Sequence, residues 1–220
     1  MLLKAAGLVK RYERRGEWLL VVDSVDLLVQ AGDFICITGQ SGSGKSTLLN
    51  ILAGLLRADS GEILFQGADL CKMSDGDFAR MRNSVIGYIP QGNSLLQNFS
   101  VLENVCLPWY LTRKDDIKNT ARELLAKVRL SCLENESPRR LSGGEARRAA
   151  IARGLITNPS IIFADEPTSD LDHENAVEVI RLFEEVNKQG AAVVITTHDP
   201  QIPPYAKRRM VMRAGRLLSL

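Results

Sequence analysis

The run Gly39-Gln40-Ser41-Gly42-Ser43-Gly44-Lys45-Ser46-Thr47 brings together the residue types that hold a phosphate group. The spacers between Gly39 and Gly44 let successive backbone N–H groups curl around an oxyanion while a helix N-terminus points at it. Lys45 is then placed to reach outer phosphates, and the Ser46 hydroxyl to ligate Mg²⁺.

Other polar residues follow short apolar runs. Asp165-Glu166 leaves Ile161-Ile162-Phe163-Ala164, Gln91 follows the run ending at Ile89 and Pro90, and His198 follows Ala192-Val193-Val194-Ile195-Thr196-Thr197. Two adjacent carboxylates leaving a core strand are costly to desolvate unless positive charge meets them. A Mg²⁺-phosphate supplies that charge, and a structural ion pair is the alternative. A lone histidine is commonly a satisfied polar residue; at the same sheet edge as the glycine-rich loop, His198 is also a candidate to contact a terminal phosphate. Taken together these residues suit nucleotide hydrolysis. Asp165 would hold Mg²⁺ with Ser46, and Gln91 would complete the metal's shell or orient water. Glu166 would polarise the attacking water and His198 would position it.

These side chains need strands that end at one edge. The apolar run Asp33 to Thr38 predicts a buried strand before the loop, and apolar residues at helical spacing predict a helix over Ser46 to Leu56. Strands are expected at 2–9, 17–29, Gly61 to Phe65 and Ser84 to Ile89, with a short helix over Asp75 to Asn83. Continuous apolar runs suit parallel strands buried on both faces, and open parallel sheets place ligands at the strands' C-terminal ends. Arg11 to Gly16 is expected to be a polar turn. Its Tyr12 either stacks on a purine or is a half-buried strand-end tyrosine. From Asn93 to Asn158 the pattern is helical, with periodic segments at Val101 to Tyr110, Asp115 to Leu130 and Gly143 to Thr157. The last of these opens on Leu141-Ser142-Gly143-Gly144-Glu145. Those residues are either an ordinary helix cap on Ser142 or a second anion-binding N-terminus. A helix over Asp172 to Lys188 precedes the His198 strand, and His173 reads as a surface residue at its start.

The composition narrows the class. At 220 residues the chain suits one domain, with room for a smaller helical subdomain. Its 28 Lys+Arg nearly balance 26 Asp+Glu, for a net charge of +2, so charge makes no case for nucleic acid. Cys36, Cys71, Cys106 and Cys132 are far apart and read as free thiols in a reducing compartment. The first residues lack the pattern of a signal peptide, and no apolar stretch is long enough to predict a transmembrane helix. A role at a membrane would therefore need other subunits.

The motif set resembles the ATP-binding cassette ATPases across essentially the whole chain. In that family's terms, Gly39 to Thr47 is the Walker A motif and Gln91 the Q-loop residue. Leu141-Ser142-Gly143-Gly144-Glu145 is the signature, Ile161 to Asp165 is Walker B with Glu166 following, Ser169-Asp170-Leu171-Asp172 is the D-loop, and His198 is the switch histidine. The resemblance implies an α/β fold. It would be a P-loop NTPase, RecA-like core with a mostly parallel sheet, an N-terminal antiparallel β subdomain and an α-helical subdomain. In residue terms, 1–92 and 158–220 form the core plus the β subdomain, and 93–157 the helical signature subdomain. It implies ATP and Mg²⁺ as ligands and Tyr12 as an adenine-stacking aromatic. Lys45, Glu166 and His198 would be catalytic, and Ser46, Gln91 and Asp165 would lie around the metal. Ser142, Gly143 and Gly144 would close on the γ-phosphate of a partner subunit, giving a head-to-tail homodimer around two ATP. The chain would sit in the cytoplasm, peripheral on the membrane, coupled to separate permease subunits.

Within the family the chain is similar to the stand-alone subunits of the lipoprotein-release and macrolide-export group, which includes the cell-division ATPase. Glu145 in the signature and Ser100-Val101-Leu102-Glu103-Asn104-Val105 carry that likeness. An exporter ATPase is implied, with a regulatory or mechanical module of the cell-division type as the alternative. Some positions depart from the group. Pro90 stands for a frequent Phe, Arg147 for the usual Gln of the signature helix, and Lys207 for a usual Asp, and Pro203-Pro204 interrupts a segment that is usually helical.

Overall fold

The computed structural model describes residues 1–92, 94–113, 115–169, 171–199 and 202–220, without the Cys71 side chain. Asp170, within the D-loop, lies outside the described residues. The chain opens with a long antiparallel pair, β1 (Leu3–Arg14) and β2 (Glu17–Val29). Arg15 and Gly16, at φ 55° and 82°, make the two-residue turn between them, and the left-handed pair matches the twist of the strands. The expected polar turn at Arg11 to Gly16 is thus shorter than its composition suggests. Strand pairing continues through Arg14, because Tyr12 meets Leu19 and Glu13 meets Trp18 across the ladder. β4 (Ser60–Phe65) and β5 (Ala68–Asp69) complete a four-stranded sheet in the order β2-β1-β4-β5.

The second sheet has six strands. In chain order they are β3 (Phe34–Thr38), β6 (Ile86–Ile89), β7 (Ile161–Asp165), β8 (Ala192–Thr197), β9 (Arg208–Arg213) and β10 (Arg216–Ser219). Their spatial order is β10-β9-β3-β8-β7-β6, all parallel except the terminal β9–β10 hairpin. Successive residues face opposite cores, as the pleat requires. Phe34, Cys36, Ile162, Ala164, Val193 and Ile195 join one cluster, and Ile35, Ile37, Ile161, Phe163, Ala192 and Val194 the other.

Helix α1 (Lys45–Leu52) packs in the second cluster beside the four-stranded sheet. It ends four residues before the expected Leu56, at Ala53-Gly54, where Gly54 takes φ 67°. α2 (Asp75–Val85) follows β5. Between β6 and β7 come α3 (Val101–Tyr110), α4 (Lys118–Lys127) and α5 (Gly143–Leu155), and α6 (His173–Lys188) connects β7 to β8. The residues of α3, α4 and α5 share the first cluster with one face of the sheet. Among the described residues no helix is long and apolar enough to cross a membrane.

Parallel pairing fixes the geometry that matters. Because β6, β7, β8 and β3 run in one direction, Gln91, Asp165-Glu166, His198 and Gly39 all leave the sheet at the same edge.

Candidate functional site

At that edge a cleft of about 570 Å³ is lined by Tyr12 and Val21 of the first sheet, by Ser41, Gly42 and Gly44 to Thr47, and by Gln91, Glu166 and His198. Gly39, Gln40 and Ser43 face the other flank of the loop, in a hollow of about 890 Å³ against Val211 to Ala214. The loop is therefore a wall with two accessible sides.

The loop needs its glycines for space. A Cβ on Gly39 would meet the Met212 carbonyl oxygen at 2.5 Å, and one on Gly44 would meet the Val21 carbonyl oxygen at 2.3 Å, where φ is 103°. Gly44 also caps α1 without a side-chain hydrogen bond, and no acidic residue occupies the helix's first turn. The positive end of α1 is left for an outside anion. The Ser43 hydroxyl is buried within the loop and has no hydrogen-bond partner among the described residues. These features fit a bound phosphate chain.

A line of charges crosses the cleft floor. Lys45 is buried and donates from Nζ to the carbonyls of Gly39 at 2.8 Å and Gln40 at 3.2 Å. The same Nζ lies 3.9 Å from Glu166 Oε1. Glu166 Oε2 accepts from the backbone N–H of His198 at 3.2 Å and lies 2.9 Å from His198 Nδ1. The Glu166 side chain is 8% exposed while that of His198 is 72% exposed, so the imidazole connects a buried carboxylate to the open cleft. Glu166 adopts φ 48°, left-handed backbone that is uncommon for a side-chain-bearing residue.

Asp165 sits one residue deeper at the end of β7, buried, and accepts a hydrogen bond from the Thr196 hydroxyl. Ser46 and Gln91 line the cleft while Asp165 lies outside its lining; the hydroxyl, the amide oxygen and the carboxylate are of the oxygen-ligand type that a hard ion such as Mg²⁺ takes. Tyr12 is 41% exposed, with Leu19 opposite it on β2, and it shares the cleft wall with Val21. Burial, followed by the charge of Asp165, pushes the Tyr88 phenol up to about 12. It stays neutral and donates to Asn50 on α1. Burial likewise pushes the Cys36 thiol up to about 12, which makes it an inert core group.

Ser142, Gly143 and Gly144 are absent from the lining of this cleft. In the single chain Ser142 caps α5. Its Oγ accepts from the Glu145 N–H at 3.3 Å, and Glu145 Oε2 accepts from the Ser142 N–H at 2.7 Å, a reciprocal capping box. Those Ser142 bonds hold the Glu145 carboxyl below the usual carboxylate range. In the single chain the cap is the reading the geometry displays, with Ser142 and Gly143 exposed at the helix start. The sequence did not point to Val21, which reaches the cleft only through the β1–β2 register, nor to Thr196, whose hydroxyl orients Asp165.

Comparison with known proteins agrees with this fold. The family described as ABC transporter matches residues 22–169. A dimeric structure of the ATP-binding cassette MJ0796 in a post-hydrolysis state, bound to ADP and Pi, superposes with a TM-score of 0.94 at 32% identity, covering 98% of this chain and 96% of that one. A second dimeric structure of MJ0796, described as a bacterial ABC transporter cassette, gives the same values. A nucleotide-free ATP-binding cassette from an ABC transporter gives 0.82 at 26% identity over 98% of this chain and 89% of that one. On the family match and the shared fold, the chain belongs to the ABC transporter family, as an ATP-binding cassette ATPase.

Proposed function

We propose that this chain is the ATP-hydrolysing subunit of a membrane transporter, working as a head-to-tail homodimer around two ATP and driving a separate permease. The observation that carries the proposal is the Lys45–Glu166–His198 line beside an uncapped helix start, with Ser142 and Gly144 of the same chain outside the cleft. A second copy placed head to tail would bring its own Ser142-Gly143-Gly144 helix start to the open side.

Within each half-site the roles follow from position. Tyr12 stacks on the base. The amides of Gly39 to Thr47, with Gln40, Ser41 and Ser43 among them, and the Lys45 ammonium bind the phosphates. Ser46, Asp165 and Gln91 would hold Mg²⁺, which supplies charge neutralisation at the terminal phosphate. Glu166 accepts the proton of an attacking water on its carboxylate. His198 holds that carboxylate through two contacts and faces the open cleft.

The permease contact is assigned to a groove of about 400 Å³ between α2 and β6 on one side and α3 and α5 on the other, lined among others by Arg82, Asn83, Tyr88, Leu111 and Arg153. β6 leads directly into Gln91, so a segment seated there lies one strand from the cleft. Attachment through a permease makes the chain peripheral on the cytoplasmic face, and the likeness to the lipoprotein-release and macrolide-export group favours an exporter.

The test is Glu166→Gln. Hydrolysis should fall about 10²–10⁴-fold while ATP binding and ATP-dependent dimerisation survive. Parallel loss of ATP binding would contradict the role given to Glu166. Purification with a permease that has a substrate path would support transport over a purely regulatory function.

A further inference from the structure

Arg147 lies in the second turn of α5, is 3% exposed, and is not part of the cleft lining. Its guanidinium spreads over carbonyls from two chain segments. Nη1 donates to Pro90 O and, at 3.4 Å, to Gly92 O, where β6 has ended. Nη2 donates to Glu166 O and, at 2.5 Å, to Asp165 O, while Nε donates to Pro167 O at 3.2 Å, where β7 ends.

The position of this fork has a backbone cause. β6 and β7 pair as far as Ile89 with Ala164, and Pro90 has no N–H with which to extend the ladder. Just beyond that stop, the planar guanidinium bridges the two segments. Pro90 and Arg147, both departures from the group pattern, touch each other here. A glutamine amide has one NH₂ and cannot reach so many acceptors, whereas the guanidinium offers five N–H donors in a fixed plane. The bridge also bears on a strained residue. Glu166 holds φ 48°, and its carbonyl accepts from Arg147 and from the N–H and hydroxyl of Ser169, at 3.1 and 2.8 Å.

We infer that Arg147 is a positioning residue for hydrolysis. Its fork holds the Glu166 peptide in its left-handed turn, fixes the spacing between that turn and the Gln91 segment, and ties both to the helix that begins at Ser142. Arg147 acts through Glu166 and Gln91 and touches no substrate. The inference rests on Glu166 being the base.

The experiment measures steady-state hydrolysis, equilibrium ATP binding and thermal unfolding for Arg147→Gln and Arg147→Lys, with Glu166→Gln in parallel. Arg147→Gln should lower kcat about 10- to 100-fold, the range for losing an outer support of a catalytic group, with ATP affinity unchanged. Arg147→Lys keeps the charge and stem but loses the fork, so it should fold and be slowed like the Gln variant. If Arg147→Gln does not fold, Arg147→Lys decides by the same criteria. Wild-type kcat in either folded variant overturns the inference, as does a fall in kcat matched by an equal fall in ATP affinity. Activity retained in Glu166→Gln overturns the base assignment and this inference with it. An inactive Glu166→Gln beside a fully active Arg147→Gln overturns the Arg147 role alone.

Discussion

Gly44→Ala tests how tightly the phosphate loop is wedged against the antiparallel sheet. The new Cβ would lie 2.3 Å from the Val21 carbonyl oxygen, 2.8 Å from Met212 Cε and 3.3 Å from Val21 Cγ1, at φ 103°. The methionine end can swing away, but the carbonyl is backbone of β2 and carries the strand with it. Holding an L-residue in left-handed backbone costs about 1–2 kcal/mol, and overpacking adds about 1–3 kcal/mol, so about 2–5 kcal/mol is expected. For a domain of this size each kcal/mol lowers Tm by about 2–4 °C, which gives a fall of about 4–20 °C without nucleotide. Gly42→Ala is the matched control. It has φ 76°, but its Cβ would meet nothing within 4 Å, so it carries strain without the clash. Differential scanning calorimetry of the two variants isolates the clash, and isothermal titration with ATP reads its effect on the site. Gly44→Ala should also lose at least about tenfold in ATP affinity, since a loop moved off Val21 takes the amides of Lys45 and Ser46 with it. Equal Tm losses in the two variants, or wild-type ATP affinity in Gly44→Ala, would refute the wedge.

Two further outcomes are expected. Gly87→Ala would put a Cβ 2.4 Å from the Gly154 carbonyl oxygen and 2.9 Å from Pro159 Cγ, prying α5 from β6, and should cost about 1–3 kcal/mol in chemical denaturation. The Glu145 capping carboxylate gives a pH signature. Ser142 holds its folded-state pKa below the ordinary value, so its stabilisation is complete above the unfolded carboxylate's pKa of about 4.3 and fades as pH falls through the depressed folded value. Against Glu145→Gln, wild type should therefore hold an advantage of about 0.3–1 kcal/mol near neutral pH that disappears in acid, measured as Tm against pH.

The loop and the strand ends were legible because their signals are local. A glycine-rich run before Lys-Ser carries its chemistry within nine residues, and the buried runs before Asp165 and His198 are continuous. What escaped depends on register or on distant partners. Tyr12 lies in a strand rather than a turn because the two-residue turn at Arg15-Gly16 sets its pairing with Leu19. The β9–β10 hairpin escaped notice because Arg208-Arg209 and Arg213 break the apolar pattern, although β9 pairs in parallel with β3 and its Met212 carbonyl crowds Gly39. Arg147 read only as a substitution for Gln. Its meaning needed the meeting of segments 55 to 57 residues away at the Q-loop and 18 to 20 away at the end of Walker B and just past it.

Under the proposed function one copy is half of a site, and charge gives a reason. Among the cleft-lining side chains the formal charges of Lys45 and Glu166 cancel, and the two face each other at 3.9 Å. A triphosphate carries several negative charges. A single chain meets them with loop amides and the end of α1, worth about half an elementary charge. Ser46, Gln91 and Asp165 add no positive charge of their own; in the proposed site they would recruit it as Mg²⁺. Another helix start, that of α5, lies exposed outside the chain's own cleft. Its capping box satisfies part of that helix end through Ser142 and Glu145, while Gly143 and Gly144 put no side chain in front of the first-turn amides. A closed pair would therefore set the α1 end of one copy and the α5 end of the other on opposite sides of the same terminal phosphate. The closing force would then grow with the charge on that phosphate and weaken when it leaves.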